Sequence, residues 1–467
     1  MNSIKLTLLS ILILVLFNLG CSPELPHKTT WEGKLEGVRL VLKLSKDDVT
    51  GITGAEYDSP DEGAFARMVS KLRITEDSLY AYSSVIKGGF SGRFNSDKTE
   101  LSGIWEQGSK AFPLVLKRVE IKRPQTPKSP APYREERIVY HNKNKSIQYG
   151  ATLTYPKAGK VRHAVILISG SGQQDRDETL FDHQPFWVIA DHLTRNGIAV
   201  LRVDDRGVGL TTGNVGDATS LDFADDVLAG LGYLQSHPSL RPEKIGLIGH
   251  SEGGMIAPLA ANQSADVAFI ISMAGPGIKG SDLLLRQAKN RYRKMGLNQD
   301  EIGVVADWLK NISMISERYP EKDKRSTAFQ IFMKDWLKNQ PDTLLSKVGF
   351  KGPEANKRID AIAGAHFAPW MRYFLQYDPA NTLTKIRIPV LALNGGKDVQ
   401  VYAEENLEGF EKWLTAAGNK NFKTVLLPDL NHMFQHAVTG EISEYGTIEE
   451  TIAPEVLTIL TDWIKER

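Results

Sequence analysis

From residue 134 to the end of the chain, short continuous apolar runs alternate with amphipathic stretches, and this constrains the fold more than any other feature. The runs lie at 164–168, 199–203, 245–248, 269–271 and 390–393. A strand with one wet face alternates apolar and polar residues. A run that is apolar on both faces belongs to a strand covered on both sides, as in a parallel sheet between two layers of helices. Helical patterns follow most of the runs, for example at 221–235, and two opening strands are predicted near 137–140 and 149–154. Between 280 and 379 the rhythm stops. That stretch is rich in Lys, Arg, Gln and Met at helical spacing, and it predicts a helical insertion over the sheet's active edge, a lid whose Met and aromatic residues serve packing. The fold class is α/β: a doubly wound, mostly parallel sheet with a helical lid insertion.

At 467 residues the chain is too long for one compact core. Residues 22–121 predict a small all-β domain, a barrel or a sandwich. Alternating runs at 38–44 and 112–116 are bounded by turn residues, and glycines recur beside aromatics in Gly88-Gly89-Phe90, Gly92-Arg93-Phe94 and Gly103-Ile104-Trp105. No His/Asp group there suggests chemistry, and a glycan contact is left open for this domain. Residues 122–133 carry Pro124, Pro127, Pro130 and Pro132 and predict an extended linker. Residues 134–467 then form the second domain. The formal net charge of +1 shows no polyionic excess and excludes nucleic acid as an expected partner.

Residues 1–21 have the plan of a signal peptide: Lys5, an apolar run over 6–17 broken by Thr7 and Ser10, then Asn18, Leu19, Gly20 and Cys21. The segment resembles a bacterial lipobox, with Asn18 where such motifs usually carry Leu. The resemblance implies lipid attachment at Cys21 and an exported protein anchored by that lipid in the bacterial envelope, at the outer membrane or the periplasmic face. An uncleaved anchor, or cleavage elsewhere, is the alternative. Cys21 is the only cysteine, so a lipidated chain has no thiol left for a disulfide, a nucleophile or a metal site.

The chemistry centres on Gly249-His250-Ser251-Glu252-Gly253, which follows one buried run and precedes a helical pattern at 255–262. A sharp strand-to-helix turn lifts the Ser above the sheet, and flanking glycines give it room. A serine hydroxyl needs a base, and the base an orienting acid. Asp398 follows the strand at 390–393, and His432 follows a strand-like stretch at 424–428. Asp429 and His436 are the rival acid and base. Asp429 shares the loop of His432 and reads as a turn residue. His436 reads as a surface or packing residue. No metal site is expected, since the His432 and His436 pair lacks a neighbouring carboxylate motif.

In their order and placement, these residues resemble the serine hydrolases of the α/β-hydrolase superfamily, esterase-like, over about 134–467. The resemblance implies Ser251 as nucleophile, His432 as base and Asp398 as its acid partner. It also implies an oxyanion hole made by the backbone N–H of Glu252 and that of Ser171 or Gly172, in the loop that runs from Ser169 through Gln173 to Asp177. Ser169 stands where the family often has His. Asp175 and Arg176 read as an internal salt-bridged loop. Asp204-Asp205-Arg206-Gly207-Val208-Gly209 resembles a bracing turn of the same superfamily and lacks the Lys-Ser/Thr of a phosphate loop. The N-terminal domain resembles a β-domain that precedes hydrolases in some bacterial lipoproteins, which implies no activity of its own.

The expected function is therefore hydrolysis of a small-molecule carboxylic ester through an acyl-enzyme on Ser251, with no cofactor. A serine peptidase or amidase of the same fold is the first alternative. A surface binding lipoprotein with an inactive hydrolase domain is the second.

Overall fold

The computed structural model describes residues 28–46, 53–62 and 64–467. Cys21 and the signal-like segment lie outside the described residues. The chain divides into two compact units, Met1–Ile121 and Lys122–Arg467.

The described residues of the first unit form one antiparallel sheet of nine strands: β1 (Lys28–Leu35), β2 (Val38–Lys46), β3 (Thr53–Ser59), β4 (Ala64–Met68), β5 (Lys71–Ile74), β6 (Ser78–Ser83), β7 (Gly88–Phe94), β8 (Glu100–Gln107) and β9 (Lys110–Val119). Their order is β4-β3-β2-β1-β9-β8-β7-β6-β5. The sheet curls around one core that includes Trp31, Leu42, Phe90, Trp105 and Leu116. Tyr57 on β3 reaches across that core. Its hydroxyl donates to the Ala81 carbonyl at 2.9 Å and accepts from Phe90 N at 3.2 Å, which ties β3 to β6 and β7. The result is a half-barrel, not two packed sheets. The glycines beside aromatics permit the close approach of neighbouring strands: a Cβ on Gly103 would stand 2.1 Å from the Ser91 carbonyl oxygen.

The second unit holds β10 (Arg134–His141), β11 (Gln148–Tyr155), β12 (His163–Ile168), β13 (Ala199–Val203), β14 (Lys244–His250), β15 (Val267–Met273), β16 (Val390–Gly395) and β17 (Phe422–Leu427). Their order is β10-β11-β13-β12-β14-β15-β16-β17. The β10–β11 and β11–β13 pairs are antiparallel, and the rest of the sheet is parallel. The two-residue period divides each central strand between two cores. Ile166, Leu201, Leu247 and Ile270 face one side, where α2 (Ser220–Ser236), α3 (Glu252–Ala261) and α11 (Ala403–Ala416) pack. Val165, Val200, Ile248 and Ile271 face the other, against α1 (Pro185–Arg195) and α13 (Pro454–Lys465).

The insertion comprises α4 (Gly280–Lys294), α5 (Gln299–Arg318), α6 (Lys322–Lys338), α7 (Asp342–Val348), α8 (Ala355–Phe367) and α9 (Pro369–Gln376), after which α10 (Pro379–Leu383) leads back to the sheet. It has a core of its own that includes Trp308, Ile312, Met333 and Trp336. The short α12 (Ile442–Tyr445) lies between β17 and α13.

Residues 122–133 belong to the second unit and are pinned to it. The Arg123 guanidinium donates to the carbonyls of Phe181, Asp182, Gly446 and Ile448. The Gln125 side chain bonds the backbone of Thr451 and Ile452. The strand order reverses at β12, whose neighbours β13 and β14 lie on opposite sides. The loops that leave β12 and β14 therefore open beside one another at the carboxyl edge of the sheet, where ligands bind in open α/β sheets.

Candidate active site

Ser251 sits between β14 and α3 with φ +53° and ψ −117°, a conformation that L-residues avoid unless the surroundings enforce it. The surroundings here are two backbone contacts. A Cβ on Gly249 would stand 2.0 Å from the Gly253 carbonyl oxygen, and one on Gly253 would stand 2.2 Å from that of Ile168. Only glycine fits at either position. The turn delivers Ser251 to the start of α3, whose first N–H groups and positive dipole end point into the cleft.

Asp398 and His432 meet although they lie on separate loops after β16 and β17. His432 Nδ1 is 2.7 Å from Asp398 Oδ2, and both residues are buried. The other oxygen, Oδ1, accepts from the backbone N–H groups of Gln400 and Val401, each at 2.8 Å. The carboxylate is thereby fixed, and it requires a proton on His432 Nδ1. Ser251 and His432 line one cavity of about 330 Å³ together with Ser171, Glu252, Trp370 and Tyr445.

The loop after β12 is held from several directions. The Ser169 hydroxyl donates to Asp205 Oδ1 at 2.8 Å, and Gln174 N donates to Asp205 Oδ2 at 2.8 Å. Gly170 packs against the nucleophile, since a Cβ there would stand 3.2 Å from Ser251 Cβ. The two candidate donor residues part company. Ser171 lines the cavity with Ser251. Gly172, at φ +97°, lines a separate hollow with Asp204 and Phe223. The Gln173 amide turns to the Arg206 carbonyl at 2.8 Å. Arg176 is bound by two nitrogens to Asp204, and Arg206 pairs with Asp226. Both are internal braces.

The rivals lie elsewhere. His436, half exposed, bridges Glu450 at 2.9 Å and Glu455 at 3.1 Å. Asp429 is exposed and faces Lys397 at 3.4 Å. Among the described residues no group of three His, Cys, Asp or Glu is placed to hold a metal ion, and no helix is long and apolar enough to cross a membrane.

Three residues at the site carried no signal of their own in the sequence. Trp370, from the lid, donates its indole N–H to Glu252 Oε1 at 2.7 Å, and the Ser220 hydroxyl donates to the same oxygen at 2.6 Å. Burial raises the Glu252 carboxyl above its ordinary range, with the hydroxyls of Ser220 and Ser171 and the Trp370 indole pulling it back. Glu178 and His250 form a buried pair directly behind Ser251. His250 stood inside the recognised motif, yet nothing marked its partner.

A family model described as the Alpha/beta hydrolase family matches residues 165–441. Esterase EstD of Thermotoga maritima is 26% identical over 295 residues, which is 62% of this chain and 58% of that protein, so the chain spans less than two thirds of this relative's length. Among solved structures, a Pyrococcus furiosus esterase matches with TM-score 0.41 and 13% identity, covering 72% of this chain and 93% of its own. Est1E of Butyrivibrio proteoclasticus, solved with ferulic acid bound, matches with TM-score 0.39 and 18% identity, covering 70% and 96%.

Proposed function

The chain belongs to the alpha/beta hydrolase family, and on that premise we propose that it hydrolyses carboxylic esters by nucleophilic catalysis. Ser251 Oγ attacks the ester carbonyl while His432 Nε2 takes its proton. The tetrahedral oxyanion is held by the backbone N–H groups of Glu252 and Ser171. Collapse expels the alcohol, protonated by His432, and leaves an acyl group on Ser251. Water, deprotonated by the same imidazole, then releases the acid. Asp398 keeps the ring in the tautomer that leaves Nε2 free to accept, and it stabilises the imidazolium.

One observation carries this reading: a buried His432–Asp398 pair opens on the same cavity as a serine held on a left-handed elbow at a helix start. The name of the Thermotoga relative points the same way. No Lys or Arg of the described residues lines the catalytic cavity, and its walls include Leu180, Phe181, Leu283, Phe374 and Met433. The Glu178 and Glu252 carboxyls on the same lining are engaged by His250 and by Ser220 and Trp370, and the group proposed beside the scissile bond is uncharged and largely apolar. Leu284 and Gln287 also border a cavity of about 1080 Å³ among the lid helices, which has room for the remainder of the substrate.

The test compares wild type with Ser251→Ala on neutral short-chain nitrophenyl esters and on aminoacyl anilides. Ester turnover that the substitution abolishes supports the proposal. Equal turnover in both proteins refutes it, and anilides cleaved faster than esters would make the chain an amidase.

A further inference from the structure

The hydrolytic steps above leave one buried pair unused. Glu178 is 1% exposed and His250 5%. His250 Nδ1 lies 2.9 Å from Glu178 Oε1, and its Nε2 lies 2.9 Å from the carbonyl oxygen of His432. A carbonyl oxygen only accepts, so Nε2 carries a proton. The same Oε1 of Glu178 accepts from Gly170 N at 2.7 Å. Through these three bonds the pair reaches each part of the site. His250 is the sequence neighbour of Ser251. It holds the backbone of the base. Through Glu178 it holds the loop that presents Ser171.

The charge on the pair follows from its neighbours. Burial by itself disfavours a charged imidazole. The Glu178 carboxylate and its hydrogen bond, the His432 carbonyl and the nearby Asp398 carboxylate outweigh burial, and the His250 pKa is raised above its ordinary value. Such a pair is a costly way to fill space, since well-packed apolar residues serve stability as well or better. What it adds is direction: two N–H bonds from a rigid ring at fixed angles.

We propose that Glu178 and His250 are the positioning pair of the active site, two hydrogen-bonded side chains that set the separation of the Ser171 loop, Ser251 and His432. The inference rests on the ester-hydrolysis reading. Glutamine in place of Glu178 cannot do the same work. A neutral His250 with its proton on Nε2 presents a bare Nδ1, which needs a donor, whereas Gly170 N needs an acceptor at that very atom. The amide can serve one of them only.

In Glu178→Gln, kcat on a nitrophenyl ester should fall by about 30- to 100-fold, the scale of a misplacement near 1 Å, with KM within about two-fold of wild type. Labelling of Ser251 by a fluorophosphonate should slow in parallel. A kcat within about two-fold of wild type in a folded variant overturns the proposal. A second measurement does not depend on the variant folding or on turnover. In wild type labelled with ¹⁵N-histidine, His250 should take up its second ring proton at a higher pH than the histidine of a short peptide, because the Glu178 carboxylate beside Nδ1 favours the charged ring. A His250 that titrates at or below the peptide histidine overturns the proposal whatever the variant does. Failure of the hydrolytic reading is recognised separately, by wild type and Ser251→Ala turning over esters equally.

Discussion

Replacing Asp398 by Asn tests the proposed mechanism at its most determinate point. The change is nearly isosteric, and the site leaves the new amide one orientation. Two backbone N–H groups, from Gln400 and Val401, each donate to Oδ1 at 2.8 Å. The amide oxygen must take that position, because an NH2 group there would face two donors. The NH2 then faces His432 Nδ1, which lies 2.7 Å from Oδ2 in the wild type. Donor meets donor unless His432 moves its proton from Nδ1 to Nε2. In that tautomer Nε2 can no longer accept from Ser251, and the base is lost although every atom is in place. Loss of a correctly set tautomer in a Ser-His-Asp site costs about 10⁴-fold in kcat, equivalent to about 5 kcal/mol of barrier. The assay is kcat on a saturating nitrophenyl ester, with thermal melting as the control for folding. Both proteins should melt at similar temperatures. A loss under about ten-fold with unchanged melting would mean that Asp398 does not set the tautomer, and the catalytic assignment would fall with it.

Two further predictions concern the supports of the site. Burial pushes the Asp205 carboxyl up to about 7 from 3.8, against the pull of Gln174 N and the Ser169 hydroxyl. A group whose pKa is higher in the folded state gives its stability below the unfolded value and loses it as pH rises through the folded one. Wild type should therefore lose melting temperature between 3.8 and about 7 in a way that Asp205→Asn does not, and matching melting profiles across that window would refute the assignment. Arg123→Ala removes donors to four carbonyls on the 181–182 and 446–448 loops. It should lower unfolding stability in urea by on the order of 3 kcal/mol, the scale of losing charged hydrogen bonds, and a change below about 0.5 kcal/mol would show that residues 122–133 are only a linker.

The fold was legible where burial acts on both faces of a strand. The runs at 164–168 and 390–393 lie in β12 and β16, whose residues are buried throughout, so their apolar character needed no tertiary knowledge to interpret. Ser251, Asp398 and His432 could be singled out because each follows a strand by a few residues, and in a parallel sheet strand ends converge at one edge. Other features depend on dihedral angles or on distant pairings. Ser171 and Gly172 are adjacent and each offers a backbone N–H, and only the structure shows that Ser171 lines the cavity with Ser251 while Gly172, at φ +97°, lines another hollow. Trp370 lies within the lid, whose helices carry a packing pattern of their own and no mark of which face covers the cleft. Glu178 and His250 are 72 residues apart, and no local pattern connects them.

The charged run Asp175-Arg176-Asp177-Glu178 shows why such a connection stays hidden, and also why the loop can be expected to act without moving. As a string it reads as an internal salt-bridged loop at Asp175 and Arg176, with no partner marked for Asp177 or Glu178. In the structure each residue has a different partner. Asp175 closes its own turn through Asp177 N and Thr179 N. Arg176 grips Asp204, Asp177 pairs with the buried Arg202, and Glu178 holds His250 and Gly170. An oxyanion donor is effective in proportion to how little it must reorganise when charge develops. A loop with four consecutive charged side chains committed to four places is fixed before substrate arrives. On the proposed mechanism the Ser171 N–H then needs no contact with substrate to set its direction, and substitutions along 175–178 should act on kcat ahead of KM.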